Sequence, residues 1–277
     1  MSLVSDIKPT ASGIRLFTWA LVIAWTVALA ASLGWNVFQV KDDIQEAARI
    51  QSRSAFGKDV IYRRWNALHG GVYVPITEQT QPNPYLTNVP ERDIQTPSGK
   101  QLTLMNPAYM TRQVFELGQA KHGVRAHITS LKPIRPENAA DSWETNALQA
   151  FEQGTKEVSA VETLDGQPYL RLMRPLLTEK RCLLCHAQQG YQENDIRGGI
   201  SVAIPMQPLQ AISRATMTRL ASLHAILWLL GLGGIAFGAG RLNRSDAQLR
   251  QAEAALQQSC DGLGAAGPGT HGRGGPD

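Results

Sequence analysis

The chain has 277 residues, enough for one large domain with accessory segments. Its formal net charge is only +4 and its Lys and Arg residues form no dense stripe, so nucleic-acid binding is not expected. Neither a nucleophile arrangement nor a glycine-rich phosphate loop is recognisable, so the chain is not expected to be an enzyme. The apolar residues are concentrated in two runs, one near each end.

The first apolar run, residues 16–35, is uncharged and, at about 20 residues, is long enough to cross a bilayer as a helix. The preceding polar tail, residues 1–15, carries Lys8 and Arg15, and positively charged flanks stay in the cytoplasm. The same features fit a cleaved signal peptide, because residues 28–30 read Ala-Leu-Ala. The apolar character continues past that point, which favours an uncleaved transmembrane anchor.

The next segment, residues 36–219, is predicted to be an extracytoplasmic domain that begins with a long juxtamembrane helix. Apolar residues recur at helical spacing over residues 36–68, and the pair Gly70-Gly71 ends the pattern. Two further helix starts are marked by Asn106 before a proline and by a capping-box pattern at Asp141. Short strands are predicted at residues 72–74, 102–105, 124–129, 157–163, 169–174 and 200–204. This mixture predicts an α+β fold with an antiparallel sheet.

The second apolar run, residues 220–240, is also uncharged and lies between Arg219 and Arg241. It is long enough to cross a bilayer, and Arg244 and Arg250 follow it. Positive flanks again indicate the cytoplasm. The chain is therefore predicted to cross the bacterial inner membrane twice, with both termini inside and the main domain in the periplasm.

The residues after the second span are predicted to form a short signalling helix and a tail. Within residues 241–260, Leu242, Leu249 and Leu256 are spaced seven apart, which is typical of a dimeric coiled coil and predicts a homodimer. Residues 261–277 are rich in Gly, Pro and Ala and are predicted to be disordered.

The most specific motif lies in the predicted periplasmic domain. Residues 182–186 read Cys-Leu-Leu-Cys-His, the attachment signature of a c-type haem. Cys182 and Cys185 are expected to add to the two vinyl groups as thioethers, and His186 is expected to be the proximal iron ligand. The motif thus predicts one covalently bound haem c, in the compartment where bacteria attach it.

Three other interpretations of this motif are open: a redox-active cysteine pair, half of a zinc site, and a chance disulfide. A thioredoxin-like pair belongs to a βαβ unit, which the sequence does not show here. A structural zinc site needs four ligands, and the other cysteine, Cys260, lies beyond the second span.

Further haem contacts are harder to choose from sequence. His69 is the favoured distal ligand, because a ligand at the end of the long helix would connect the iron to the membrane, and Met110 is the alternative. Other candidates for this role are His122, His127, Met105 and Met173. Arg174 and Arg181 are the arginines nearest to the motif and are the expected partners of the haem propionates.

Several segments, taken in order, resemble a known family. They are residues 106–113 (NPAYMTRQ), 127–138 (HITSLKPIRPEN), 141–154 (DSWETNALQAFEQG), 170–175 (LRLMRP), the haem motif, and 197–205 (RGGISVAIP). Together they resemble the c-type-haem-binding, PAS-like domain that forms the extracytoplasmic input of bacterial sensor histidine kinases and diguanylate cyclases. The resemblance covers about residues 44–206. It implies a PAS-like antiparallel sheet with flanking helices, placed here between two transmembrane helices, and a sensing role.

These observations predict a membrane-anchored haem sensor, of redox state or of a small gas, that serves as an input module. Because only residues 241–277 follow the second span, a kinase or cyclase output is expected to have been lost or to come from a separate partner. Two alternatives are a membrane-tethered cytochrome that only carries electrons and a ligand-binding domain without haem.

Overall fold

The structure is a computed structural model that describes residues 11–265, except for the side chains of residues 11, 184, 185 and 260–265. The described residues divide into two compact units, one formed by the chain up to Gln39 and from Thr216 onward, the other by Val40–Ala215. The α-helices in this range are α1 (Ala11–Leu68), α2 (Pro107–His122), α3 (Ser142–Glu152), α4 (Leu183–His186) and α5 (Met206–Ala265). The strands are β1 (Val72–Pro75), β2 (Asp93–Gln95), β3 (Gln101–Met105), β4 (Arg125–Thr129), β5 (Val158–Leu164), β6 (Gln167–Leu177) and β7 (Ile196–Pro205).

The unit Val40–Ala215 contains two antiparallel sheets rather than the single predicted sheet. The smaller sheet has the strand order β1-β3-β2 and the larger one the order β4-β7-β6-β5. In the larger sheet β4 and β6 both pair with β7, so that β7 is central and β4 forms an edge. The mixed α and β character and the antiparallel pairing predicted from sequence are therefore confirmed.

The larger sheet is covered by a helix on each face, because its strands alternate between two apolar surfaces. On one face, Phe56 of α1 packs against Ile200, Val202 and Ile204 of β7. On the other face, the buried residues of α3 pack against Met173 of β6. The domain therefore has three layers, and α1 forms one of them.

Helices α2 and α3 begin where the sequence predicts them, and each start is stabilised by a capping hydrogen bond. The side chain of Asn106 accepts a hydrogen bond from the backbone N–H of Tyr109, which caps α2. Asp141 and Glu144 form a complete capping box at the start of α3. Helix α2 runs to His122, four residues past the predicted end near Gly118, and ends at Gly123 in the left-handed conformation.

The other unit consists of the first part of α1 and the later part of α5. Both helices are long and apolar enough to cross a membrane, on length and composition. Within this unit the contacts between the helices include those of Trp25 with Gly231, Thr26 with Trp228, and Ser32 with His224. Residue numbers rise along one helix as they fall along the other, so this pair of helical segments is antiparallel. Helix α5 continues to Ala265, into the predicted tail 261–277, and the rest of that tail lies outside the described residues.

Candidate functional site

The unit Val40–Ala215 contains a cavity of about 390 Å³ beside the edge strand β4. This volume lies within the range of about 300–1,000 Å³ that small-molecule and cofactor sites occupy. Its apolar side chains come from α2, β4, β6 and loops, and its polar side chains come from α1, α2, β4, β7, loops and the end of α4. The apolar members include Leu86, Val89, Phe115, Ala126, Ile128, Ile134 and Leu176. The cavity therefore combines an apolar surface with a limited set of polar groups.

His186, the histidine of the predicted haem motif, lines this cavity. It ends α4, within a run of short helical turns that Gly190 closes in the left-handed conformation. The His186 Nδ1 atom lies 2.8 Å from Gln189 Oε1. Because an amide oxygen only accepts hydrogen bonds, this contact puts the proton on Nδ1 and leaves the Nε2 lone pair available. That is the tautomer a metal-ligating histidine needs.

A second group competes for the same ring nitrogen. Arg197 Nε lies 3.2 Å from His186 Nδ1, and a guanidinium group can only donate. Nδ1 cannot serve both neighbours, and the shorter contact is the one with Gln189. Burial lowers the pKa of His186, and the nearby charge of Arg197 lowers it further. The imidazole is therefore held neutral, as ligation requires.

The cysteines of the motif lie on the helical turns that lead to His186. Cys182 ends a 3₁₀ turn, Lys180–Cys182, and its half-buried thiol is free. Its backbone N–H donates to the carbonyl of Glu179 at 2.8 Å. The side chain of Cys185 lies outside the described residues, and with it the predicted second thioether. Among the side chains that the structure describes, no group of three or more His, Cys, Asp or Glu residues could hold a metal ion.

Four arginines line the cavity, and none of them is one of the two chosen from sequence. Arg112 lies 3.9 Å from Glu116, and Arg135 lies 3.3 Å from a carboxylate on its own loop. Arg63 and Arg197 instead donate to neutral groups. No local pattern distinguishes these two in the sequence, although Arg197 opens the quoted segment RGGISVAIP.

His127, one of the less favoured distal candidates, also lines the cavity, but both of its ring nitrogens are already engaged. Nδ1 lies 3.0 and 3.1 Å from the carboxylate oxygens of Glu144, and Nε2 lies 3.0 Å from the carbonyl oxygen of Glu137. Both partners are acceptors, so the ring donates twice and carries a positive charge. The hydrogen bond with Glu144 raises the pKa of His127 accordingly. A charged imidazole has no lone pair for iron.

The structure does not bring the two predicted distal ligands to the cavity. His69 is exposed, its Nδ1 lies 2.8 Å from the carbonyl oxygen of Trp65, and its ring stacks on the Trp65 ring at 4.5 Å. The Met110 sulfur accepts a hydrogen bond from the buried Asn66 amide at 3.7 Å. Neither residue lines the cavity. The geometry thus gives no support to either assignment.

The two predicted propionate partners also lie elsewhere. Arg174 stacks over Phe56 at 5.2 Å and lies 3.8 Å from Glu157. Arg181 is exposed and donates to two backbone carbonyls at the end of α1, at 3.0 and 3.3 Å. Neither Arg174 nor Arg181 lines the cavity, whose arginines come from α1, α2, β7 and a loop, so the geometry gives these two assignments no support.

Comparison with known proteins decides the domain family. The sequence profile of the Tll0287-like family matches residues 40–205, well over half of the chain. The chain belongs to the Tll0287-like family. The matched residues coincide closely with the stretch 44–206 in which the sequence resemblance was noted.

Comparisons with solved structures and with curated proteins give no further information about this chain. A solved structure, described as the crystal structure of the cyanobacterial heme-protein Tll0287, is 19% identical to this Tll0287-like chain. The match covers 35% of this chain and 70% of that one, with a TM-score of 0.29, which is too low to support any conclusion about this chain. No curated protein matches the sequence.

Proposed function

We propose that this Tll0287-like protein is a membrane-anchored, c-type haem-binding input module. One haem would be attached to Cys182 and Cys185 and held by His186. The observation that carries the proposal is the position of His186: the histidine of the attachment motif lines the cavity and keeps Nε2 free. Family membership agrees, because the protein that gives the family its name is described as a heme-protein.

The residues present fit such a group. The apolar side chains of the cavity offer a surface for a macrocycle, and its arginines offer partners for the carboxylates of that macrocycle. When bound, haem would supply a one-electron change in iron oxidation state. The chain's own contributions are to orient His186 through Gln189, to keep the imidazole neutral, and to offer apolar side chains from α2 and β4.

A sensing role is favoured by the two elements that lead away from the cavity. Helix α1 contributes Arg63 to the cavity wall and is continuous from Ala11 to Leu68. Strand β7 contributes Arg197 and Gly198, and helix α5 begins directly after it at Met206. A change at the cavity would therefore act directly on both elements that continue toward the apolar segments. A pure electron carrier would not need this arrangement.

The cellular setting is part of the proposal. The two apolar segments would anchor the protein in the inner membrane with the domain in the periplasm, as the flanking arginines indicate. The exposed leucines Leu242, Leu249 and Leu256 would pair in a homodimer. A PAS-like signalling role would then require a kinase or cyclase output that responds to the dimer.

Spectroscopy of variants tests the haem site. Full-length protein from a host that matures c-type haem should show a reduced-minus-oxidised haem spectrum. His186→Ala should change that spectrum, whereas His69→Ala should leave it unaltered, because His69 lies outside the cavity. A spectrum unaffected by His186→Ala would refute the site.

Hydrogen exchange distinguishes a sensor from the alternative, a membrane-tethered electron carrier. For a sensor, reduction of the haem should change amide exchange in residues 40–68 and in the first turns of α5. A carrier should exchange identically in both oxidation states.

A further inference from the structure

The arginines of the domain fall into two groups according to the partner of the guanidinium. Most lie within ion-pair distance of a carboxylate, among them Arg53 with Glu157 at 2.8 Å and Arg125 with Asp165 at 2.7 Å. Both of these have a raised pKa, because a neighbouring anion stabilises the cation. Arg63 and Arg197 form no such pair with any residue that the structure describes, and both line the cavity.

Arg63 has only weak partners. Its Nη1 lies 3.4 Å from the carbonyl oxygen of Pro107 and 3.5 Å from the hydroxyl of Thr111, both at the long limit of a hydrogen bond. Asp59, one turn earlier on α1, attracts it but does not come within ion-pair distance. Burial lowers the pKa of Arg63 to about 10, and the like charge of Arg197 acts in the same direction.

Arg197 is held in place without being neutralised. Its Nη1 donates to Ser130 Oγ at 2.8 Å, and its guanidinium lies over the ring of Tyr191 at 5.1 Å. These contacts orient the group but bring no negative charge. Burial lowers the pKa of Arg197 as well. A partly desolvated cation without an ion-pair partner is unfavourable, and a second cation nearby makes it more so.

We infer that Arg63 and Arg197 form an anion-binding pair that takes carboxylate groups of the cavity's occupant. This inference rests on the proposed function, under which those groups are the propionates of haem. Guanidinium groups bind carboxylates in a fork geometry, and the two cationic side chains come from different elements, α1 and β7. The pair would therefore connect the occupant to both elements that continue into the long helices.

The other two arginines of the cavity, Arg112 and Arg135, are not assigned to the anion-binding pair. Each already has a carboxylate partner at 3.9 and 3.3 Å, respectively, so neither needs an anion from the occupant. Arg112→Met is therefore a matched control for Arg63→Met: it removes a half-buried cationic side chain from the same cavity, on α2, but one that lies near a carboxylate.

The test compares the stability of the full-length protein with and without haem, the haem-free form being made with Cys182→Ala and Cys185→Ala. Without haem, Arg63→Met should raise the denaturant midpoint, because it removes a half-buried charge that has no ion-pair partner among the described residues. With haem, it should lower the midpoint and the haem reduction potential, because a propionate loses its partner. Arg63→Lys should restore part of the midpoint and part of the reduction potential. The change in midpoint caused by Arg112→Met should have the same sign with and without haem.

The outcomes separate the inference from the function on which it rests. If haem is attached but Arg63→Met shifts both forms in the same direction, the anion-binding pair is wrong and the haem site stands. If the wild type carries no haem, the proposed function fails, and succinate serves as the probe of the cavity. Stabilisation of the wild type by succinate that is lost in Arg63→Met would then support the pair, and no stabilisation would overturn it.

Discussion

At the scale of single residues, the charge of Glu144 connects the layers of the domain. Its side chain is 1% exposed and accepts hydrogen bonds from His127 on β4, Ser201 on β7 and the backbone N–H of Asp141. Arg171 on β6 lies 3.3 Å away. Burial opposes ionisation, but the hydrogen bonds from His127 and Ser201 outweigh it and lower the pKa of Glu144. The carboxylate therefore remains charged and joins α3 to three strands.

Glu144→Gln should destabilise the domain strongly. The substitution keeps the shape but removes the buried counter-charge of His127, whereas Arg171 keeps its closer ion pairs with Asp141 and Glu162 at 2.7 and 2.8 Å. Because a hydrogen bond to a charged group contributes about 1.5–3 kcal/mol, we expect a loss of that size. Urea unfolding followed by circular dichroism measures the loss. Glu137→Gln is the control, because Glu137 is exposed and its pair with Arg135 is worth at most about 1 kcal/mol; equal losses in the two variants would contradict the assignment.

Asp59 differs from Glu144, because burial raises its pKa, and it is expected to make the stability of the protein depend on pH. It is 7% exposed, and burial raises its pKa from the ordinary 3.8 to about 6. The folded state therefore holds this proton more tightly than the unfolded chain. Stability from this group is present below about pH 4 and is lost as the pH rises through about 6.

Asp59→Asn should accordingly stabilise the protein at about pH 8 by up to about 3 kcal/mol, since two pKa units correspond to that amount, and by nothing at about pH 3.5. Thermal unfolding across this range measures the gain. Asp43→Asn, an exposed position on the same helix, should show no such trend. A gain for Asp59→Asn that is independent of pH would rule out ionisation as the cause.

At the scale of elements, the contact between β4 and β7 requires a glycine. A Cβ atom at Gly198 would lie 2.2 Å from the carbonyl oxygen of Thr129, and backbone cannot yield as a side chain can. This contact borders the cavity, because Gly198 and Thr129 both line it. The small residue therefore allows the edge strand to close one wall of the site.

Gly198→Ala should lower the free energy of unfolding by about 1–3 kcal/mol through this clash. Gly118→Ala is a matched control with the opposite expected sign. Gly118 lies inside α2 with open space around its Cβ position, so alanine should stabilise the helix by up to about 1 kcal/mol. Chemical denaturation of the two variants compares them, and a neutral Gly198→Ala would show that the strands are not in close contact.

How much the sequence predicts at this scale depends on how local each signal is. The caps at Asn106 and Asp141 form where predicted, because the residues that make the hydrogen bonds lie three apart in the chain. Strand β2 was not predicted. Its three residues follow a proline-rich loop and become a strand only by pairing with β3.

The residues of the cavity were likewise predictable only where a local sequence motif marks them. His186 was found from its motif, but Arg63 and Arg197 were not, because what distinguishes them is that they line the cavity without an ion-pair partner among the described residues. Sequence spacing cannot report that property. His69 was favoured for its place at the end of α1, yet its ring stacks on Trp65, a residue one turn away.

At the scale of the whole molecule, the proposed two-pass arrangement puts the domain and the C-terminal helix on opposite sides of the membrane. Single cysteines introduced at two exposed serines, with Cys182, Cys185 and Cys260 all replaced by Ser, test this. Ser98→Cys, in the turn before β3, should react with a membrane-impermeant maleimide in intact spheroplasts. Ser245→Cys, on α5, should react only after permeabilisation. The reverse pattern would invert the topology.

The central claim is that haem is bound covalently at residues 182–186. Mass spectrometry of the peptide containing this segment, after maturation in a competent periplasm and denaturation, measures it most directly. We expect a wild-type peptide heavier by one haem, and a peptide without added haem when Cys182 and Cys185 are both replaced by Ala. A wild-type peptide of unmodified mass, with any pigment removed by acid acetone, would contradict it.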